Sequence, residues 1–162
     1  MLGAAVHDDA VSGGIISEFA TGIPYARPMS DELVRFEEAV LAQAPPGSIV
    51  VGSAISPDGS YGASLTILPS ATDYPMDDLF ERTGERWIGA VGGSGGGVTW
   101  TSTERTDKPG VLRYADEAPN GARSAVIAYE EREYQVPVRE GWFFLVVWET
   151  AYTEEPRLLR FE

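Results

Sequence analysis

Apolar and polar residues alternate with a period of two along several stretches in the second half of the chain. In residues 134–139, YQVPVR, the side chains at the first, third and fifth positions are apolar, which is typical of a strand with one buried face. Residues 142–148, WFFLVVW, are all apolar. Such an unbroken run predicts a central strand that is buried on both faces.

A longer period predicts a helix that begins after Ser30. Serine is a good N-cap residue, and acids in the first turn are favoured by the helix dipole, which suits Asp31 and Glu32. The consecutive prolines at 45 and 46 end the helix. Its apolar face comprises Leu33, Phe36, Val40 and Ala44.

A second short helix is predicted between Pro75 and Gly84. Proline suits the first helical position, and glycine can close the helix in the left-handed conformation. Met76, Leu79 and Phe80 would supply its apolar face.

Strand signals fill most of the remaining chain. Residues 48–55 and 61–68 flank the turn sequence Pro57-Asp58-Gly59-Ser60, and together they predict a hairpin. The turns between the later strands are rich in glycine and proline, and no helix pattern separates these strands, which argues against parallel βαβ units. Seven further strands are predicted at 86–91, 98–103, 111–114, 123–129, 133–138, 142–149 and 157–161.

These elements predict a mainly β fold, an antiparallel β-sandwich or barrel with one or two short N-terminal helices. Residues 1–28 lack a clear period and are expected to form an N-terminal arm that can be poorly ordered. Residues 29–162 then form a single β-rich domain.

The resemblance to immunoglobulin-like domains is carried by VTWTSTE (98–104), GVLRYADEAPNGARSAVIAYEEREYQVPV (110–138) and EGWFFLVVWET (140–150). These segments resemble the C-terminal regions of uncharacterised actinobacterial proteins. The resemblance implies an immunoglobulin-like β-sandwich over residues 98–162. It implies no catalytic or binding residues.

Composition narrows the classes of function. The chain has no cysteine, so thiolate chemistry and cysteine-ligated metals are excluded. Its formal net charge is −13, which predicts that it does not bind nucleic acid. The N-terminus is a poor signal peptide, with His7, Asp8 and Asp9 where an apolar stretch would run, and no later segment approaches the length of a membrane span. A cytoplasmic location is therefore expected.

Candidate catalytic and metal-binding residues all have a simpler structural interpretation. Residues 92–97, GGSGGG, match the pattern of a nucleophile elbow around Ser94, but a strand follows instead of a helix, so a flexible loop or glycine bulge is favoured. Glu104 and Glu149 each lie near a tryptophan and could serve a glycoside hydrolase. The acidic pairs at 77–78 and 154–155 could bind calcium, but no calcium-loop motif frames them. No catalytic residue, metal site or cofactor is predicted.

A binding role remains, and an enzyme is not expected. The first hypothesis is a non-enzymatic protein-interaction or accessory module. The second is an acidic immunity protein that neutralises a cationic toxin, and the third is a carboxylate-based glycoside hydrolase. The predicted partner is a protein, which could be basic. The candidate partner-binding residues are Asp31, Glu32, Glu37, Glu38, Trp87 and Trp100.

Overall fold

The computed structural model describes residues 29–103 and 110–162, with the side chain of Ser94 left out of the description. The predicted arm, residues 1–28, and the candidate Glu104 lie outside the described residues. The described part contains one helix and ten strands, arranged in two antiparallel sheets, so the fold is mainly β and consistent with a β-sandwich.

The predicted first helix is confirmed as α1, Asp31–Gln43. The Ser30 hydroxyl accepts a hydrogen bond from the backbone N–H of Leu33 at 3.2 Å, which satisfies one of the free donors of the first turn. Leu33, Phe36 and Val40 are the buried residues of the helix. The apolar stripe read from the sequence is therefore the face that packs on the first sheet.

Nine of the ten strands lie where the sequence predicts them, within a few residues at each end. The exception is the third strand. The strands are β1 (Ile49–Ile55), β2 (Tyr61–Leu68), β3 (Ala71–Thr83), β4 (Arg86–Ser94), β5 (Gly97–Ser102), β6 (Gly110–Glu117), β7 (Ser124–Tyr129), β8 (Arg132–Arg139), β9 (Trp142–Trp148) and β10 (Arg157–Phe161).

The second predicted helix is wrong, because its residues form β3. Leu79 packs in the core between the two sheets, whereas Phe80 packs under α1. Adjacent apolar residues on opposite faces suit a strand that is buried by two layers, and over a few residues they resemble a helical stripe. Pro75 lies where the pairing of β2 with β3 is irregular, so its missing N–H is tolerated.

The first sheet has the strand order β1-β2-β3-β4, and α1 covers its outer face. Phe36 projects from α1 onto Gly62 of β2, where a Cβ atom would lie only 2.5 Å from the Phe36 ring. Phe36 also makes edge-to-face contacts with Phe80 and Trp87, at centroid distances of 5.6 and 4.8 Å. The absence of a side chain at position 62 is what lets the helix sit this close to the sheet.

The second sheet has the order β10-β7-β8-β9-β6-β5, and its β6-β9-β8-β7 part is a Greek key. β9 pairs with β6 along its whole length but with β8 at only two positions beside their turn. Phe143 of β9 contacts Phe161 of β10 at a centroid distance of 6.0 Å, although β7 and β8 lie between these strands in the sheet. The second sheet therefore curls over one face of β9.

The other face of β9 packs against the first sheet. A Cβ atom at Gly52 of β1 would lie 2.5 Å from the Cβ atom of Phe144. Six of the seven β9 residues are buried. The predicted central strand is thus confirmed, with cover on both faces.

The glycine-rich stretch is not a simple loop, contrary to the sequence-based expectation. Gly92 and Gly93 belong to β4 and pair with β3, and Gly97 begins β5. The chain changes sheet between these strands, with positive φ angles at Gly95 and Gly97. Glycine suits such a corner because it adopts positive φ without steric cost. A bulge is present, but it lies upstream, between Gly89 and Val91.

Candidate functional site

A buried ion pair joins the two sheets. The Nε atom of Arg113 on β6 lies 2.7 Å from Oδ1 of Asp77 on β3, and both side chains are almost fully buried. Arg113 also donates through Nη1 to the Thr101 hydroxyl of β5, at 3.1 Å. Burial raises the pKa of Asp77 above its ordinary value, although Arg113 and a hydrogen bond with Thr99 act in the opposite direction. This geometry connects layers and leaves no open position for a substrate.

The two acidic pairs considered for calcium are not arranged as ligands. Asp77 faces the second sheet, whereas Asp78 lies on the opposite face of β3 against Gly92. The Glu154 carboxylate accepts a hydrogen bond from the backbone N–H of Glu130, and Glu155 accepts one from the Tyr152 hydroxyl. Within the described ranges, no group of three or more acidic or histidine side chains is placed to hold a metal ion.

The four acidic candidates on α1 differ in their contacts within the domain. Glu32 forms an ion pair with Arg82 at 3.0 Å. Glu37 accepts a hydrogen bond of 2.5 Å from the Ser53 hydroxyl and lies 3.5 Å from Arg139. Asp31 and Glu38 are the two exposed acids of α1 that make no ion pair with another described residue. Of the four acids, only Glu37 is partly buried, and Glu32 makes its ion pair while exposed.

The two tryptophan candidates lie in different sheets. Trp87 of β4 is buried against Phe36, and Arg82 lies 5.4 Å above its ring. Trp100 of β5 is half-buried and donates through Nε1 to the carbonyl of Thr150 at 2.9 Å. The two rings therefore lie in different sheets, and each makes contacts within the domain.

A hydrogen-bonded group that the sequence analysis did not predict is centred on Thr150. The Thr150 hydroxyl lies 2.6 Å from the Tyr129 hydroxyl and 3.1 Å from a carboxylate oxygen of Glu130. Glu130 and Glu149 both adopt positive φ, at 46° and 58°. Glu130 and Thr150 are far apart in sequence, so no local pattern predicts their contact. The adjacent acidic residues Glu130 and Glu131 are the only local feature that could have drawn attention to this place.

A small cleft of about 20 Å³ lies between the β1–β2 turn and the end of β9, with Asp58, Tyr61, Trp148 and Glu149 in its lining. The Asp58 carboxylate accepts hydrogen bonds from the backbone and hydroxyl of Ser60, so it stabilises the turn. The volume is about that needed for a single water molecule. Its lining also includes Thr103 and Gly110, which border residues 104–109 outside the described ranges.

The outer edge of β4 is the exposed surface with the clearest binding character. No strand of the described residues pairs with this edge. Residues 87–103 contain no charged side chain, in a protein with a formal charge of −13. Ile88 and Val91 are 48% and 43% exposed. We refer to the unpaired backbone edge of β4 together with Ile88 and Val91 as the β4 edge.

Comparisons with family models, curated proteins and solved structures found no match. No helix among the described residues has both the length and the apolarity to cross a membrane.

Proposed function

We propose that this protein is a cytoplasmic, non-enzymatic protein-interaction module that binds its partner through the β4 edge. The observation that carries the proposal is the unpaired outer edge of β4, along which the exposed side chains that follow Arg86 include the apolar Ile88 and Val91. An extended segment of a partner can extend such a sheet, because main-chain hydrogen bonds supply affinity and side-chain contacts supply selectivity.

Two of the other terminal strands, β10 and β1, are less suited to this role. Natural proteins protect sheet edges with charges or by covering them. β10 carries Arg157 and Arg160, and β1 packs against both α1 and β9. β5 ends beside residues 104–109, which lie outside the described ranges. β4 carries one charged residue, Arg86 at its start, and the Gln43 side chain donates to the Trp87 carbonyl at 3.0 Å, but no described strand pairs with its outer edge.

The immunoglobulin-like assignment of residues 98–162 is part of the same proposal. The Greek-key order within the second sheet supports it, since immunoglobulin domains use Greek-key connections.

The two rival functions draw less support. Two of the four acids on α1 are engaged within the domain, which weakens the immunity hypothesis, and only Glu149 of the two glycoside hydrolase candidates lies within the described residues.

The test is site-specific photo-crosslinking of the full chain in the cells that produce it. A benzophenone amino acid would replace Ile88 on the β4 edge or, as the matched control, Leu159, which is 37% exposed on the terminal strand β10. We expect a covalent adduct with a protein from position 88 and none from position 159. The Val91→Lys substitution should abolish the adduct. Equal labelling from both positions, or none from position 88, would contradict the proposal.

A further inference from the structure

The bulge in β4 gives the strand an unusual distribution of side chains. Val91 pairs with Leu79, and Gly89 pairs with Phe80, so Ala90 is an extra residue. Without this residue, positions 88 and 91 would face opposite sides of the sheet. With it, both Ile88 and Val91 lie on the side of the first sheet that faces the second sheet, and both are exposed there.

The positions of Ile88 and Val91 allow β4 to pair with β4 of a second copy. In an antiparallel pair, residues directly opposite each other lie on the same side of the sheet. If two β4 strands pair around a two-fold axis between Gly89 and Ala90, Ile88 of each copy lies opposite Val91 of the other. The two small residues then lie beside the axis, where the backbones approach. A two-fold contact of this kind uses the same surface on both molecules.

The distribution of charge also favours a second copy at this edge. Two molecules with a formal charge of −13 each repel one another at most surfaces. The stretch from residue 87 to residue 103 has no charge, and it contains most of β4 and all of β5. Contact along β4 therefore brings no acidic side chains of this stretch together.

From this register and charge pattern, we infer that the occupant of the β4 edge is β4 of a second copy of the chain. The inference rests on the proposed function, because it names the partner of the same surface. The resulting dimer joins two four-stranded sheets into one continuous sheet of eight strands. Its contacts are the paired backbones and two Ile88–Val91 pairs.

The first test measures the mass of the full chain by light scattering over about 1–200 µM. The monomer mass is 17.5 kDa, so a dimer has twice that value, 35 kDa. Ile88→Lys and Val91→Lys should each weaken dimerisation by roughly tenfold or more, because each places two new charges in the contact. Leu159→Lys on β10 is the matched control and should leave the dimer intact. Added salt should strengthen the dimer, since it screens the repulsion between the acidic copies.

The second test determines which β4 residues of the two copies lie opposite each other, by means of introduced cysteines. No native thiol competes with them, because the chain contains no cysteine. An equimolar mixture of the Ile88→Cys and Val91→Cys variants should form a mixed disulfide on mild oxidation, since directly opposite Cβ atoms lie about 5 Å apart. Either variant alone would need to join positions offset by about three residues, or roughly 10 Å. We expect the mixture to crosslink about tenfold faster than either variant alone.

The outcomes separate this inference from the proposed function. A protein that stays monomeric at all concentrations, yet crosslinks to a different protein from position 88, overturns the inference and keeps the proposed function. A dimer that survives Ile88→Lys, or equal disulfide rates for the mixture and the single variants, also overturns it. A monomer without any adduct from position 88 contradicts both. A circular dichroism spectrum of each variant shows that the fold is retained.

Discussion

Arg113 of β6 and Asp77 of β3 form a buried ion pair across the two sheets, with Nε and Oδ1 2.7 Å apart. The Arg113 residue is 1% exposed and Asp77 is 6% exposed. Burying such a pair carries a large desolvation cost, so its net contribution to stability is small even though each charge depends on the other. The pair fixes which strands of the two layers lie opposite each other.

Substitution of one partner should therefore lower the free energy of unfolding much more than substitution of both. We expect Arg113→Met to lower the free energy of unfolding by about 3–5 kcal/mol, because it leaves a buried carboxylate without its counter-ion. The double variant Arg113→Met/Asp77→Leu should recover most of that loss. Urea unfolding of the single and double variants measures both values. A double variant as unstable as Arg113→Met would show that the charges themselves are not coupled.

Asp78 gives a prediction for pH dependence. Burial, and secondarily the neighbouring Asp77, raise the pKa of Asp78 above its ordinary value of 3.8, although Arg113 acts in the opposite direction. The folded protein therefore binds this proton more tightly than the unfolded chain does. The contribution of Asp78 to stability falls as pH rises from about 3.8 through the raised pKa, and it is unfavourable above that pKa.

Asp78→Asn should consequently be more stable than the unmodified protein at pH 7. The difference should shrink as pH is lowered through the raised pKa towards 3.8. Urea midpoints at a series of pH values measure it, with the exposed Asp73→Asn as the control. A stabilisation of equal size at pH 7 and pH 4 would rule out the ionisation of Asp78 as its cause.

A substitution at Phe144 tests how β9 packs against the first sheet. It is 8% exposed and lies against Gly52, where there is no room for another side chain. Phe144→Ala should lower the free energy of unfolding by roughly 3–5 kcal/mol, since it removes buried apolar area and leaves a cavity. Leu159→Ala on β10 is the exposed control. A loss below about 1 kcal/mol at position 144 would contradict the packing described for β9.

Glu37 and Glu38 are adjacent on α1, but they should respond differently to charge reversal. Glu37→Lys removes the acceptor of the Ser53 hydroxyl and places a cation beside Arg139, so we expect a loss of about 1–3 kcal/mol. Glu38→Lys changes an exposed side chain and should alter stability by no more than about 0.5 kcal/mol. Thermal unfolding of the two variants at equal salt distinguishes them. Equal losses would mean that the Ser53 contact contributes nothing.

The period-two pattern and the turn residues correctly predicted nine of the ten described strands, and the N-cap with the apolar stripe correctly predicted one of the two expected helices. These predictions succeed where burial on one face of an element produces a regular spacing of apolar residues. The all-apolar run of β9 likewise identified the centre of the domain. The same reasoning failed for β3, where Leu79 and Phe80 serve two different layers. A strand between two layers has no single apolar face, so its pattern can match that of a helix.

The sequence by itself determined nine of the ten described strands and the capped helix α1. The tertiary structure alone decided that Asp77 meets Arg113, that Glu37 is held by Ser53, and that Trp87 and Trp100 belong to different sheets. It also decided that Ile88 and Val91 lie together on an unpaired edge. The physical reason is that strand order and bulges arise from contacts between distant segments, whereas side-chain periodicity records only whether each residue is buried.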